Sequence, residues 1–268
     1  MIKLTVFNFI LLIIITSLLV LVKRTVRTER AQNAVLLIAS LVTVLFHYST
    51  FIFRYITGDA AIEYLQSNPN LILPIYPCNV VMWSCLIIGL MKNRESKLYS
   101  LLVDYIFWFG IFSTLVGMFA NVDFINNPTL ANYDITKSIV AHATLLFNVM
   151  LLFVFKQVKI DFWQNMKHMI ISVIGMYVIG IYCNLVFKVL VSPEEAYDVN
   201  SMFIIHSPFE GMDFLRYPMI AAVALVLYFI LFTTCDIITN AKGNRWFDKA
   251  RAAIFKNNGK SETSRQDS

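Results

Sequence analysis

A cysteine and a histidine are the two residues of this chain whose types suggest a catalytic pair. Cys78 follows Pro74 and Pro77, two prolines predicted to break a run that otherwise has the composition of a membrane-spanning helix. His142 lies in another apolar run. A neighbouring imidazole can take the proton of a thiol and so make the sulfur a nucleophile. Inside a membrane the obvious electrophile for such a nucleophile is an acyl ester of a lipid. The pair therefore suggests acyl transfer or lipid-ester hydrolysis.

Three further polar residues in the apolar runs are candidates for binding a substrate. Asn79, Tyr76 and Asn184 carry groups that can donate hydrogen bonds to a developing oxyanion. The alternatives for the pair itself are structural. Cys78 alone could be a small packing residue, and His142 could form a hydrogen bond between helices.

A polar stripe runs along the second apolar segment. Thr43, His47, Thr50 and Arg54 recur at spacings that place them on one face of a helix. Polar groups inside a membrane are expensive, so each is a candidate for function. His47 and Arg54 would bind a substrate, pair with acidic loop residues, or extend to the lipid headgroups.

The composition indicates that a membrane positions these residues. The chain is 58% hydrophobic and 15% charged, with a mean hydropathy of +0.66, which would be abnormal for a soluble domain. Runs of about 20 apolar residues are long enough to cross about 30 Å of hydrocarbon. We therefore predict an all-α fold, a single bundle of seven transmembrane helices. The predicted spans are approximately 5–22, 34–56, 71–91, 98–120, 138–155, 169–190 and 217–239.

The distribution of charge predicts the orientation of the bundle. Of the 22 Lys and Arg residues, 17 fall on one side of the predicted spans, and basic loops face the cytoplasm. We expect the N-terminus outside, the C-terminus in the cytoplasm, and a multi-pass protein of the plasma membrane. The loop Val191–Leu215 is predicted to fold over the outer face as a lid. The segment 241–268 is predicted to be a basic cytoplasmic tail, disordered beyond Asn257.

The sequence indicates lipids as partners and gives no sign of a cofactor. It contains no glycine-rich phosphate loop and no cluster with metal-ligand spacing. The net charge of +5 comes from loops and tail, so it indicates orientation rather than nucleic-acid binding. A transporter or substrate-binding membrane subunit for a small solute is the main alternative function. A structural or assembly factor is a third, and the sequence does not decide the oligomeric state.

The pattern of seven spans, with Leu73-Pro74 and Cys78 in the third and His142 in the fifth, resembles the bacterial membrane-protein family typified by YwaF. Related eukaryotic seven-span proteins look like acyltransferases that build polyunsaturated ether phospholipids through a cysteine and a histidine. The resemblance implies that Cys78 is the nucleophile and His142 the base. It also extends to the end of the sixth span, the outer loop and the entry to the seventh, through Asn184, Asn200-Ser201-Met202-Phe203, Pro208 and Pro218.

The chain departs from that family at three positions. Family members often have a histidine where Tyr76 stands and a leucine where Pro77 stands. The Asn-Tyr pair of the family's outer loop is Asn200-Ser201 in this sequence. The resemblance nevertheless implies that Asn200 belongs to the substrate-binding region.

Overall fold

The computed structural model describes residues 2–119, 129–190, 200–207, 211–212 and 214–252, and these residues form helices and loops without strands. Two short 3₁₀ turns, Pro69–Leu71 and Ser201–Phe203, lie between the helices. The helices are α1 (Ile2–Thr25), α2 (Glu29–Thr57), α3 (Ala61–Ser67), α4 (Pro77–Leu90), α5 (Lys97–Phe119), α6 (Tyr133–Val154), α7 (Phe162–Leu190) and α8 (Tyr217–Thr239).

Six of these helices, α1, α2, α5, α6, α7 and α8, are long and apolar enough to cross a membrane. Helix α4 has 14 residues, which span about 21 Å at 1.5 Å per residue. The predicted span over 71–91 is therefore not confirmed as a membrane crossing, and its residues before Pro77 are outside the helix. Pro77 occupies the first helical position, which suits proline, and it disfavours a helical conformation at Tyr76.

Hydrogen bonds between helices define the two ends of the bundle. Thr50 bonds Asp134 and Thr43 bonds Asn148, at 2.7 and 2.9 Å, so α2 and α6 are antiparallel. We call the end that holds α3 and the segment 69–76 the proline end. The opposite end holds the connections 91–96 and 155–161, and we call it the basic end.

Glycines of α5 allow its neighbours to approach closely. A Cβ at Gly110 would lie 2.6 Å from a methyl group of Val149 on α6 and 3.2 Å from Val81 on α4. A Cβ at Gly117 would overlap the imidazole of His142 on α6. Small residues permit this kind of packing between helices in membranes. Helix α5 therefore packs closely against both α4 and α6, which carry the candidate pair.

Large apolar side chains cover the outside of the bundle. Ile13, Leu45 and Ile174 are 66%, 60% and 59% exposed, respectively. Exposure of this kind along helices of membrane-spanning length is unfavourable in water and suits contact with lipid acyl chains. The protein is therefore an integral membrane protein that contacts lipids.

The first part of the tail packs against the basic end. The ring of Trp246 stacks on that of Phe162 with centroids 4.4 Å apart, and the backbone N–H of Trp246 donates to Asp236 Oδ2. Residues 253–268, which include the part predicted to be disordered, lie outside the described residues.

Candidate functional site: a broken segment held at the proline end

The segment 72–76 is an interruption between the 3₁₀ turn Pro69–Leu71 and α4. Its non-helical backbone leaves carbonyl groups without partners from a helix. Within a bilayer such carbonyls need other protein groups or water to bond. The side chains that bond them identify the elements gathered around the interruption.

Helix α2 bonds two carbonyls of the 3₁₀ turn directly before the interruption. His47 Nε2 lies 3.2 Å from the Asn70 carbonyl oxygen, and the Tyr48 hydroxyl donates to the Leu71 carbonyl at 2.9 Å. A carbonyl oxygen only accepts, so Nε2 of His47 carries the proton. The predicted binding residue His47 is thus engaged in holding the turn before the interruption.

The turn Ser201–Phe203 closes the interruption from the other side. Its Met202 N–H and its Ser201 hydroxyl both donate to the Ile75 carbonyl, at 2.9 and 3.1 Å. Asn184 of α7 anchors this turn, because its Oδ1 accepts from the Ser201 N–H at 3.0 Å and its Nδ2 lies 3.4 Å from the Ser201 carbonyl. Both polar atoms of the predicted oxyanion donor Asn184 therefore bond the protein itself.

Asn200 fixes the chain that follows the turn. Its Oδ1 accepts from the N–H groups of Ile205 and His206, at 2.9 and 3.1 Å, and its Nδ2 donates to the His206 carbonyl at 2.7 Å. The segment 200–207, part of the predicted lid, lies against α7 at Gly180, where a Cβ would be 2.5 Å from Ile204. The lid residues 191–199 and 208–210 lie outside the described residues.

Helix α4 begins at the interruption with the candidate nucleophile in its first turn. The Tyr76 N–H donates to Asn79 Oδ1 at 3.2 Å, which closes this turn. The Tyr105 hydroxyl lies 3.3 Å from the Pro77 carbonyl. Cys78 is the second residue of the helix, and within the described residues no backbone carbonyl accepts from its N–H.

Tyr105 reaches this position from an irregular part of α5. Residues Tyr105–Phe109 form a π-helical turn inside the helix. Such turns are rare and frequently occur at functional sites. The ring of Tyr105 is buried, and its hydroxyl also contacts the sulfur of Met176 at 3.3 Å.

His142 lies on α6, where its ring packs against Gly117. Its Nδ1 is 2.8 Å from the carbonyl oxygen of Ser138, so Nδ1 carries the proton and Nε2 of the neutral ring has a free lone pair. Within the part of the chain that the structure describes, no hydrogen bond joins His142 to Cys78.

Arg54 lies apart from this group, in a cluster near the end of α2. Its guanidinium is 3.8 Å from Asp59 and stands 4.8 Å from the centre of the Tyr64 ring. The structure therefore brings five predicted site residues to the interruption and its closure and places Arg54 in a charged surface cluster. The five are Tyr76, Asn79, Asn184, Asn200 and His47.

Sequence reasoning missed three residues that hold the interruption, namely Tyr48, Tyr105 and Ser201. Tyr48 and Tyr105 lie inside apolar runs, where a hydroxyl needs a partner, and this signal was available in the sequence. Ser201 appeared only within a stretch that resembled a family's outer loop. Nothing in its type or spacing indicates that its hydroxyl would bond the Ile75 carbonyl.

These observations define an integral membrane protein with a helical bundle and one interrupted segment that polar side chains close. The chain belongs to the TMEM164 family, a transmembrane-type family whose model matches residues 2–236. That range includes every residue of the site described above. Neither the curated proteins nor the solved structures contain a match to the chain.

Proposed function

We propose that this protein is a membrane-embedded acyl-transfer enzyme, a transacylase or a lipid-ester hydrolase, with Cys78 as nucleophile and His142 as base. In this proposal the interrupted segment and α4 together form the third of seven crossings. The proline end faces the outside of the plasma membrane and the C-terminus lies in the cytoplasm, because the basic loops cluster at the other end. The substrate enters from the outer leaflet.

The position of Cys78 is the observation that carries the proposal. A thiol in the first turn of a helix lies where the helix dipole and nearby N–H groups favour negative charge. Because Cys78 is also partly buried, the thiol still needs a base to take its proton. The N–H of Cys78, from which no described backbone carbonyl accepts, is also a donor for an oxyanion that forms on the carbonyl under attack. One residue thus supplies a nucleophile and a backbone donor beside it.

The tautomer of His142 supports its role as base. Because Nδ1 donates to the Ser138 carbonyl, Nε2 is the atom that accepts a proton in the neutral ring. Hydrogen bonds between catalytic groups often shorten only when a substrate is bound. The proposal therefore requires that the Cys78 sulfur and His142 Nε2 come within reach of each other in the substrate complex.

The proposed reaction proceeds in two balanced steps. His142 Nε2 takes the thiol proton while the Cys78 sulfur bonds the ester carbonyl carbon. The ester C–O bond then breaks, and His142 returns the proton to the departing lysolipid hydroxyl, leaving a thioester. In the second step another lipid hydroxyl, or water, gives its proton to His142 and takes the acyl group. The thiol is regenerated when His142 returns that proton to sulfur.

Asn79, Asn184 and Asn200 have positioning roles in this proposal. Asn79 Oδ1 accepts from the Tyr76 N–H and so fixes the turn that carries Cys78. Asn184 and Asn200 hold the segment that covers the interruption. Tyr76, whose ring lies 6.0 Å from that of Phe203, belongs to the wall between Cys78 and this cover.

Transport of a small solute has less support. The stripe on α2 would have to line a cavity, but its polar groups bond within the protein. Thr43 accepts from Asn148, Thr50 donates to Asp134, and His47 bonds the Asn70 carbonyl. These contacts favour a seam between elements over a vacant binding surface.

The proposal is tested by the mass of the intact protein after incubation with lipid. Wild type in nanodiscs containing phosphatidylcholine of a single acyl composition should gain the mass of one acyl group, removable by hydroxylamine. Cys78→Ala should show no adduct, and His142→Ala should form it at least about tenfold more slowly. Cys85→Ala is the matched control, because Cys85 is fully buried on the same helix.

Lipid composition in cells provides the second measurement. Cells that express wild type or Cys85→Ala should share an acyl-chain profile that differs from the profile with Cys78→Ala. Identical profiles in all three, together with an intact mass that never includes an acyl group, would refute the acyl-transfer proposal.

A further inference from the structure

A polar cavity of about 210 Å³ lies at the basic end, and Cys78 is not among its lining residues. Three cationic residues line it, Arg94 from the connection before α5 and Lys156 and Lys159 from the connection after α6. Ser100 and Gln157 are among its polar lining residues. The acyl-transfer proposal uses none of these groups.

Arg94 has hydrogen-bond donors that nothing in the described protein accepts. Its Nε and Nη2 atoms are buried and have no hydrogen-bond partner among the described residues. Its nearest carboxylate oxygen, on Glu29, is 3.9 Å from Nε, which is too long for a hydrogen bond. The guanidinium stands 5.6 Å from the centre of the Tyr99 ring, which restricts its orientation. Burying such donors without an acceptor is costly, so this arrangement favours the binding of an anion.

Two neutral donors share the cavity. Gln157 Oε1 accepts from the Tyr99 hydroxyl at 2.9 Å, while its Nε2 is buried without a partner among the described residues. The Ser100 hydroxyl accepts from Gln164 at 3.0 Å, which leaves its own proton for another acceptor. Both residues therefore offer hydrogen bonds to a ligand that only accepts.

Lys156 lies in a backbone conformation that an L residue seldom adopts. Its φ angle is 56°, directly after the end of α6, where glycine is the usual residue. Its N–H bonds the Phe153 carbonyl and the next N–H bonds the Leu152 carbonyl, at 3.0 and 2.9 Å. A glycine would close the same turn without strain. Lys156→Gly therefore removes the charged side chain without straining the turn.

The acidic groups nearby do not neutralise the site. Asp104 also lines the cavity, but its Oδ2 is 2.6 Å from Nδ1 of His168 on α7. Glu29 is largely exposed and too far from Arg94 for a hydrogen bond. The three cations therefore outnumber the carboxylates that could pair with them in the cavity.

We propose that this cavity binds a phosphate group through Arg94, Lys156 and Gln157. Phosphate only accepts hydrogen bonds when fully ionised, and a guanidinium matches its geometry. The group could belong to the headgroup of an anionic phospholipid in the adjacent leaflet or to a soluble phosphate. The site is independent of acyl transfer, so it stands or fails separately from the function proposed above.

The simpler explanation for these cations is the orientation of the protein in the membrane. Basic residues that only orient a membrane protein act through their number and remain in water. Arg94 differs from them because two of its donor atoms are buried and unpaired. Lys92, an exposed cation two residues earlier that does not line the cavity, is the matched control.

Thermal unfolding of the full chain in uncharged detergent tests the site. Inorganic phosphate, added at constant ionic strength against chloride, should raise the unfolding midpoint of wild type and Lys92→Gln in a saturable manner. Arg94→Gln should need at least about tenfold more phosphate for the same shift, because it loses charge-assisted hydrogen bonds. Lys156→Gly is a second variant. It should also bind phosphate more weakly, while its unfolding midpoint without phosphate should be no lower than that of wild type.

The lipid arm uses dihexanoyl phosphatidylglycerol, which has a net negative charge, with the zwitterionic dihexanoyl phosphatidylcholine as the comparison lipid of zero net charge. A shift with inorganic phosphate, lost in Arg94→Gln, supports a site for phosphate itself. A shift with phosphatidylglycerol alone, again lost in Arg94→Gln, supports a headgroup site. Equal shifts for wild type, Arg94→Gln and Lys156→Gly, or no shift with either anion, would overturn the proposal.

Discussion

The contact between Gly117 and His142 gives the sharpest test of where the proposed base lies. A Cβ added at Gly117 would overlap Cδ2 and Nε2 of the imidazole and would lie 2.7 Å from Cγ. The Nδ1 bond to Ser138 restricts the ring on its other side. The substitution Gly117→Ala should therefore force His142 out of its position.

The magnitude follows from a comparison with a second glycine. Gly175 lies within α7, and a Cβ there would meet nothing within 4 Å. Alanine replaces a helical glycine in both variants, so the gain from helix propensity, up to about 1 kcal/mol, is shared. Gly117→Ala should be less stable than Gly175→Ala by about 1–3 kcal/mol, the usual cost of overpacking.

The assay is reversible unfolding in mixed micelles, in single variants and in the double variant with His142→Ala. Without the imidazole, Gly117→Ala should behave like Gly175→Ala, which gives a coupling of about 1–3 kcal/mol between positions 117 and 142. If Gly117→Ala is as well tolerated as Gly175→Ala and shows no coupling, then His142 does not lie against α5 and the reasoning fails.

Two further predictions concern the segment that closes the interruption. Ser201→Ala should lower the free energy of unfolding by about 1 kcal/mol, because the Ile75 carbonyl loses one of its two donors. The control Ser17→Ala removes only an exposed hydrogen bond within α1, so it should change the free energy of unfolding by less than about 0.5 kcal/mol. Gly180→Ala should push Ile204 away from α7 and speed maleimide labelling of the buried Cys183 in a chain whose other cysteines are alanine. Labelling no faster than in the Gly175→Ala counterpart would show that the segment 200–207 does not cover α7 at this point.

The sequence predicted the helical class and most of the long helices because hydrophobic length is a local property. It did not predict the bounds of α4, although Pro74 and Pro77 were recognised as a break. A run such as 71–91 keeps its apolar composition whether or not its first residues are helical. The partners of the freed carbonyls decide that outcome, and those partners lie on α2 and the segment 200–207.

The site was predictable as a list of residues but not as a set of roles. His47, Asn184 and Asn200 were expected near a substrate, because polar groups in apolar runs indicate function. In the structure His47 bonds the backbone of the turn before the interruption, and Asn184 and Asn200 bond the backbone of its cover. A sequence shows that a buried amide needs partners, but whether these are protein or substrate depends on contacts between distant segments.

This assignment of partners separates groups that hold the site from groups available for chemistry. His47, Asn79, Asn184 and Asn200 bond the interruption or the segments that flank and cover it, so removing any of them should disturb the fold before it disturbs a reaction. Within the described residues no backbone carbonyl accepts from the Cys78 N–H, and Nε2 of His142 has no hydrogen-bond partner. The proposal of a thiol and an imidazole acting on a lipid ester thus depends on two groups, one on α4 and one on α6, that do not take part in holding the interruption.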